Sequence, residues 1–105
     1  LTVIKIKSSK LKEMIENKKI DLIIDLRSVE NYSKEHIPGA INIPINEIPD
    51  KLEFLEKYKD KNIVLYCGIG SQSLSAGKVL LLNGFKNIYS LSNGIKDYKF
   101  ELDKN

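Results

Sequence analysis

Two unbroken apolar runs, Leu22-Ile23-Ile24 and Ile63-Val64-Leu65-Tyr66, constrain the fold of this chain more than any other feature. A strand with one solvated face alternates apolar and polar residues. A run without polar members suits a strand covered on both faces, as in a parallel sheet. The runs stop at Asp25 and Cys67, and helical patterns lie around and between them. Ser8 or Ser9 is expected to cap a helix with Leu11, Met14 and Ile15 on one face. Ser28 is the expected N-cap of a short helix to about Lys34, with Glu30 favourable in its first turn. Pro49 suits the first turn of a third helix to about Tyr58, with Leu52 and Leu55 facing inward. A fourth carries Leu74, Ala76, Val79, Leu80 and Leu82, and Gly84 ends it. Shorter strands are expected at residues 3–6, an edge strand that is brief and lysine-bearing, at 41–43 and at 88–91. Pro38-Gly39 makes a turn, and Asn93-Gly94 leads into a final helical piece with Ile95, Tyr98 and Phe100. Strands alternating with helices specify an α/β fold, a mainly parallel sheet with helices on both faces. Such sheets bind ligands at the C-terminal ends of their strands. Cys67 ends the strand expected to be central.

Size and composition narrow the function classes. At 105 residues the chain is expected to be one domain over residues 1–105. It is 42% apolar and 30% charged, with no run long enough to span a membrane, so no membrane partner is expected. The net charge is only +3, and Arg27 is the sole arginine among 17 basic residues. The lysines are spread among acidic residues, which reads as a solvated surface and not as a nucleic-acid footprint. A single cysteine leaves no internal disulfide, CxxC pair or cysteine-rich zinc site, and a single histidine, His36, leaves no His-rich metal site. No metal or organic cofactor is expected. Lys5, Lys7 and Lys10 interrupt any apolar stretch near the start, so no signal peptide is read there and the expected compartment is the cytoplasm. The start at Leu1 fits a removed initiator Met, a domain excised from a longer protein or a mature fragment.

The chemistry concentrates at Cys67-Gly68-Ile69-Gly70-Ser71-Gln72-Ser73. A strand that ends in a thiol and turns through two glycines into a helix N-terminus surrounds the sulfur with inward-turned N–H groups, and the helix dipole adds partial positive charge. Both effects favour the thiolate, the reactive form. Ser71, Gln72 and Ser73 are further candidate donors. A buried, inert core cysteine is the plain alternative, but a strand end between a tyrosine and two glycines points to reactivity. His36 reads as a turn residue packed beside Pro38 and hydrogen-bonded to backbone, not as a general base. Asp25 and Arg27, at a strand end beside a helix start, read as an ion pair or cap before a substrate site. A cysteine-dependent phosphatase needs Cys-x5-Arg for bidentate phosphoryl binding, and the sixth position after Cys67 is Ser73.

Three segments together resemble rhodanese-like domains: residues 22–27 with Glu30 and the specific stretch His36-Ile37-Pro38-Gly39-Ala40-Ile41-Asn42-Ile43-Pro44; the loop from Tyr66 to Ser73; and Gly84-Phe85-Lys86-Asn87-Ile88-Tyr89 with Asn93-Gly94-Ile95. The resemblance covers residues 3 to about 98. It implies a three-layer fold with a five-stranded, mainly parallel sheet, and sulfurtransferase chemistry. By position, Cys67 is the residue that takes up sulfane sulfur as a persulfide, and Gly68, Ile69, Gly70, Ser71 and Gln72 form the cradle around it. The implied donor is thiosulfate or a persulfide; the implied acceptor is cyanide, a small thiol or a partner protein.

The chain also departs from the family pattern. The family loop often has an Arg after the cysteine and a basic or hydroxyl residue at the fifth position; these are Gly68 and Gln72 here. The next basic residue downstream, Lys78, lies almost two turns into the helix, so weak attraction for a dianion such as thiosulfate is expected. The family's Gly-Gly is Asn93-Gly94, and its usual Trp is Tyr98. A rhodanese-like module kept for docking, or for redox sensing through mixed disulfides or a sulfenic acid, is the alternative function.

Overall fold

The computed structural model describes residues 2–104, so residues 1 and 105 of the expected domain lie outside the described part. Five strands form one sheet: β1 (Ile4–Ile6), β2 (Leu22–Asp25), β3 (Ile41–Asn42), β4 (Asn62–Tyr66) and β5 (Asn87–Leu91). Their spatial order is β1-β5-β4-β2-β3, and every strand pair is parallel. The two apolar runs are adjacent, with Leu22 opposite Ile63 and Asp25 opposite Tyr66. β4 is central, as expected, and β1 is an edge strand.

The side-chain alternation of β4 feeds two cores. Ile63 and Leu65 pack with Leu55, Ala76, Leu80 and Phe85, while Val64 and Tyr66 pack with Leu11, Met14, Ile37 and Leu91. This is why neither face of the run tolerates a polar residue. α1 (Ser8–Glu16) and α2 (Val29–Lys34) precede and follow β2, and α3 (Leu52–Leu55) and α4 (Ser71–Leu82) precede and follow β4.

Several expectations need correction at the element ends. Neither Ser8 nor Ser9 caps α1: Lys7 takes the cap position without a side-chain bond. Ser8 is instead the first helical residue, and its hydroxyl accepts from the Lys99 N–H at 3.1 Å. Ser28 does cap α2, accepting from the Asn31 N–H. The third helix is broken: 3-10 turns Ile45–Glu47, Pro49–Lys51 and Glu56–Tyr58 surround the single α-turn of α3. Its inward residues Ile45, Ile48, Leu52, Leu55 and Tyr58 recur mostly every third position, which suits three residues per turn better than 3.6. Along α4, Ser73, Ala76, Gly77 and Leu80 are buried, whereas Val79 and Leu82 are exposed. The final helical piece is one 3-10 turn, Ile95–Asp97. Beyond it Asp103 exchanges two backbone hydrogen bonds with His36, so tertiary pairing takes the segment out of the helix. Among the described residues no helix is long and apolar enough to cross a membrane.

Candidate active site

β4 delivers Cys67 to the C-terminal end of the sheet, and the chain turns at once into α4. Gly70, at φ +104°, occupies the cap position of α4 in the left-handed region that favours glycine. Its N–H donates to Cys67 Sγ at 3.1 Å. The thiol in turn points to the Ser73 hydroxyl, 3.9 Å away. Cys67 is only 1% exposed, and its neighbours Ser73 and Ser90 are buried with it. Gly68 is half-buried, Gly70 is buried, and Ile69, Ser71 and Gln72 are exposed around the turn. The candidate loop therefore has a buried sulfur, a buried amide donor and an uncharged outer rim.

A second segment holds the loop in shape. The Ile95 N–H donates to the Cys67 carbonyl at 3.0 Å, and the Lys96 N–H donates to the Gly68 carbonyl at 3.2 Å. The approach is so close that a Cβ on Gly94 would overlap the Gly68 carbonyl oxygen and sit 2.6 Å from that of Cys67. Asn93 has φ +62°, a conformation that Asn accepts more readily than most residues. The departure from Gly-Gly at Asn93-Gly94 is thus accommodated.

The residue before the cysteine anchors the loop from below. The buried Tyr66 hydroxyl donates to Asp25 Oδ2 at 2.7 Å and accepts from the Ile37 N–H at 3.1 Å. Arg27 pairs with the fully buried Asp25 through Nε and Nη2, and Nη2 also donates to the Glu35 carbonyl at 2.6 Å. Burial first, and then the hydrogen bond to Asp25, push the Tyr66 phenol far above its ordinary range. Burial weakens the Arg27 cation, but the bonds to Asp25 outweigh it and raise the guanidinium further. Asp25 and Arg27 are therefore an ion pair, as expected. His36 Nδ1–H donates to the Tyr32 carbonyl, 2.9 Å away, and its ring stacks on Tyr32 with centroids 3.9 Å apart. The backbone bond was expected; the packing partner is Tyr32.

Two charged side chains reach the loop from distant segments. A depression of about 430 Å³ is walled by Gly68 and Gln72 on the loop and by Arg27, Ser28, Asn31 and Asn46 opposite. A second, of about 280 Å³, lies among Ile69, Gly70 and Ser71, with Lys5 and Ser90 in its lining. The nearest basic residue downstream along the sequence is Lys78, whereas the sheet places Lys5 and Arg27 beside the loop. Ser90 was also missed. It faces Ser73 because β5 lies beside β4, and one clue was its being a small polar residue between Tyr89 and Leu91. Among the described residues no three His, Cys, Asp or Glu side chains gather where a metal ion could sit.

Comparison with known proteins places this geometry. The sequence model of the Rhodanese-like domain matches residues 7–101. The tRNA uridine(34) hydroxylase of Buchnera aphidicola subsp. Baizongia pistaciae is 36% identical over 89 residues, which is 81% of this chain and 28% of that protein. The chain thus spans little more than a quarter of that relative's length. A rhodanese-like domain protein from Staphylococcus aureus superposes with a TM-score of 0.87 at 26% identity, covering 98% of this chain and 99% of the other. A rhodanese-related protein from Thermoplasma volcanium gives 0.84 at 28% identity, covering 95% and 97%. In sequence and in fold, this chain belongs to the rhodanese-like domain family.

Proposed function

We propose that this domain is a sulfurtransferase whose nucleophile is Cys67. The observation that carries the reading is the Gly70 N–H directed at Sγ, 3.1 Å away, at the N-terminal end of a 12-residue helix. That donor and the helix dipole stabilise negative charge on sulfur. The Cys67 thiolate attacks the sulfane sulfur of thiosulfate; the new S–S bond forms as the S–S bond to the sulfonate breaks, and sulfite leaves with the electron pair. Cyanide or a thiolate then attacks the outer sulfur of the persulfide, and the Cys67 thiolate leaves. A persulfide donor enters by the same route, with its thiolate as leaving group. Gly68, Ile69, Gly70, Ser71 and Gln72 cradle the loaded sulfur, and the acceptor is a small thiol, cyanide or a partner protein. No metal or organic cofactor is required, and the dispersed lysines do not support a nucleic-acid partner for the domain itself. The compartment proposed is the cytoplasm.

The test is steady-state transfer from thiosulfate to cyanide, with both concentrations varied. Parallel double-reciprocal lines are expected, and Cys67→Ser removes turnover while leaving the melting temperature within a few degrees. Turnover that survives Cys67→Ser overturns the assignment.

A second reading is favoured by the relative named tRNA uridine(34) hydroxylase, of which the chain spans 28%. Under it, the domain is one part of a longer RNA-modifying enzyme. The binding or sensing module draws its support from the burial of Cys67. A wild-type domain that neither turns over nor takes up sulfur would favour one of these readings.

A further inference from the structure

Beneath the Cys67 sulfur lies a pair of buried serines from different elements. Ser73 belongs to the first turn of α4 and Ser90 to β5, and their hydroxyl oxygens are 2.6 Å apart. Ser73 Oγ also donates to the Gly70 carbonyl at 3.0 Å and receives the Cys67 thiol at 3.9 Å. A hydroxyl has one proton and two acceptor sites. With that proton on the Gly70 carbonyl, Ser90 must be the donor in the serine pair. The thiol form of the site is then fully satisfied, and Ser73 uses its whole capacity.

Loss of the thiol proton changes the balance. The sulfur stops donating and becomes an anionic acceptor, and the Ser73 proton faces a choice between a neutral carbonyl and a charged sulfur. Hydrogen bonds to charged groups are the stronger kind. We propose that Ser73 is a positioning residue that turns its hydroxyl from the Gly70 carbonyl to Cys67 Sγ when the thiol gives its proton to a solvent base, and that Ser90 holds the Ser73 oxygen in place by donating to it throughout. This deepens, and rests on, the reading of Cys67 as a sulfur nucleophile. The same turn of the hydroxyl serves twice in the cycle, once for the attacking thiolate and once for the thiolate that leaves the persulfide. Ser90 also lines the depression beside Lys5.

The pH profile of Cys67 alkylation by iodoacetamide tests this without any sulfur donor, so its outcome is separate from that of sulfur transfer. The charged groups on the elements packed around the loop are Lys5 on β1, Asp25 and Arg27 at the end of β2, Lys78 on α4, and Lys96 and Asp97 after β5. They are common to all variants and leave the comparison intact. Ser73→Ala should alkylate about tenfold more slowly near neutral pH, the lower end of a hydrogen bond to a charged group, and match the wild type at the alkaline plateau. Ser90→Ala, which keeps the Ser73 hydroxyl but frees it to rotate, should move the profile the same way by about twofold to threefold. A folded Ser73→Ala with an unshifted profile, or one slowed equally at every pH, overturns the proposal. If Ser73→Ala does not fold, an unshifted Ser90→Ala profile overturns it in the same way.

Discussion

Arg27 lines the depression beside the loop, but its charge is already engaged by Asp25, which is fully buried. Gln72, on the opposite wall, is exposed and neutral. In that depression a dianionic donor therefore meets a cation whose field is largely offset. Gln72→Arg should raise kcat/KM for thiosulfate by about threefold to tenfold through KM, with the gain shrinking as salt is added. An unchanged or lower value would show that charge does not limit thiosulfate use. At this scale the sequence was informative wherever the chemistry was local. Cys67, the two glycines and the Ser28 cap lie within a few residues of what they act on. Lys5, Arg27 and Ser90 reach the loop only through strand order, and no spacing along the chain encodes that.

At the scale of elements, the loop depends on the turn after β5 as much as on its own glycines. Gly94 has φ +64°, and a side chain there would collide with the Cys67 and Gly68 carbonyls that the turn itself binds. Gly94→Ala should cost about 1–3 kcal/mol from strain and overlap and cut sulfur transfer by at least tenfold. Chemical denaturation and the transfer assay check the two halves of that prediction. Full activity in a folded Gly94→Ala would mean that the turn does not shape the site. β2 and β4 were legible because burial on both faces leaves an unmistakable apolar run. The region before β4 was not, since its inward residues recur nearer every third position than at helical spacing. The C-terminal turn was misjudged for a different reason: pairing between Asp103 and His36 competes with local helix formation and wins.

For the whole molecule, the polar network under the loop makes stability depend on alkaline pH. Burial raises the phenols of Tyr66, Tyr32 and Tyr98, with Asp25 adding to the shift at the first two and Glu16 at the third. A phenol raised in the folded state keeps its proton while the unfolded chain loses it near pH 10. Its contribution is therefore complete below about pH 10 and is lost as pH rises through the folded-state value. Urea midpoints should fall steeply above that pH. Tyr66→Phe removes the donor to buried Asp25 and the acceptor of the Ile37 N–H, so it should cost about 1–3 kcal/mol at neutral pH. It should also flatten the alkaline decline, and an equally steep decline in Tyr66→Phe would assign that pH dependence to the other groups. The parallel α/β architecture was readable from strand–helix alternation alone, whereas the Tyr66–Asp25–Arg27 network needed the register of β2 against β4.

The measurement that bears most directly on Cys67 as a sulfur carrier is intact mass under non-reducing conditions after incubation with thiosulfate and, separately, with a persulfide donor. The account predicts a gain of one sulfur atom in the wild type, its loss on adding cyanide or a thiol, and no gain in Cys67→Ser. A folded wild-type domain that gains no sulfur from either donor and alkylates slowly at Cys67 would contradict it.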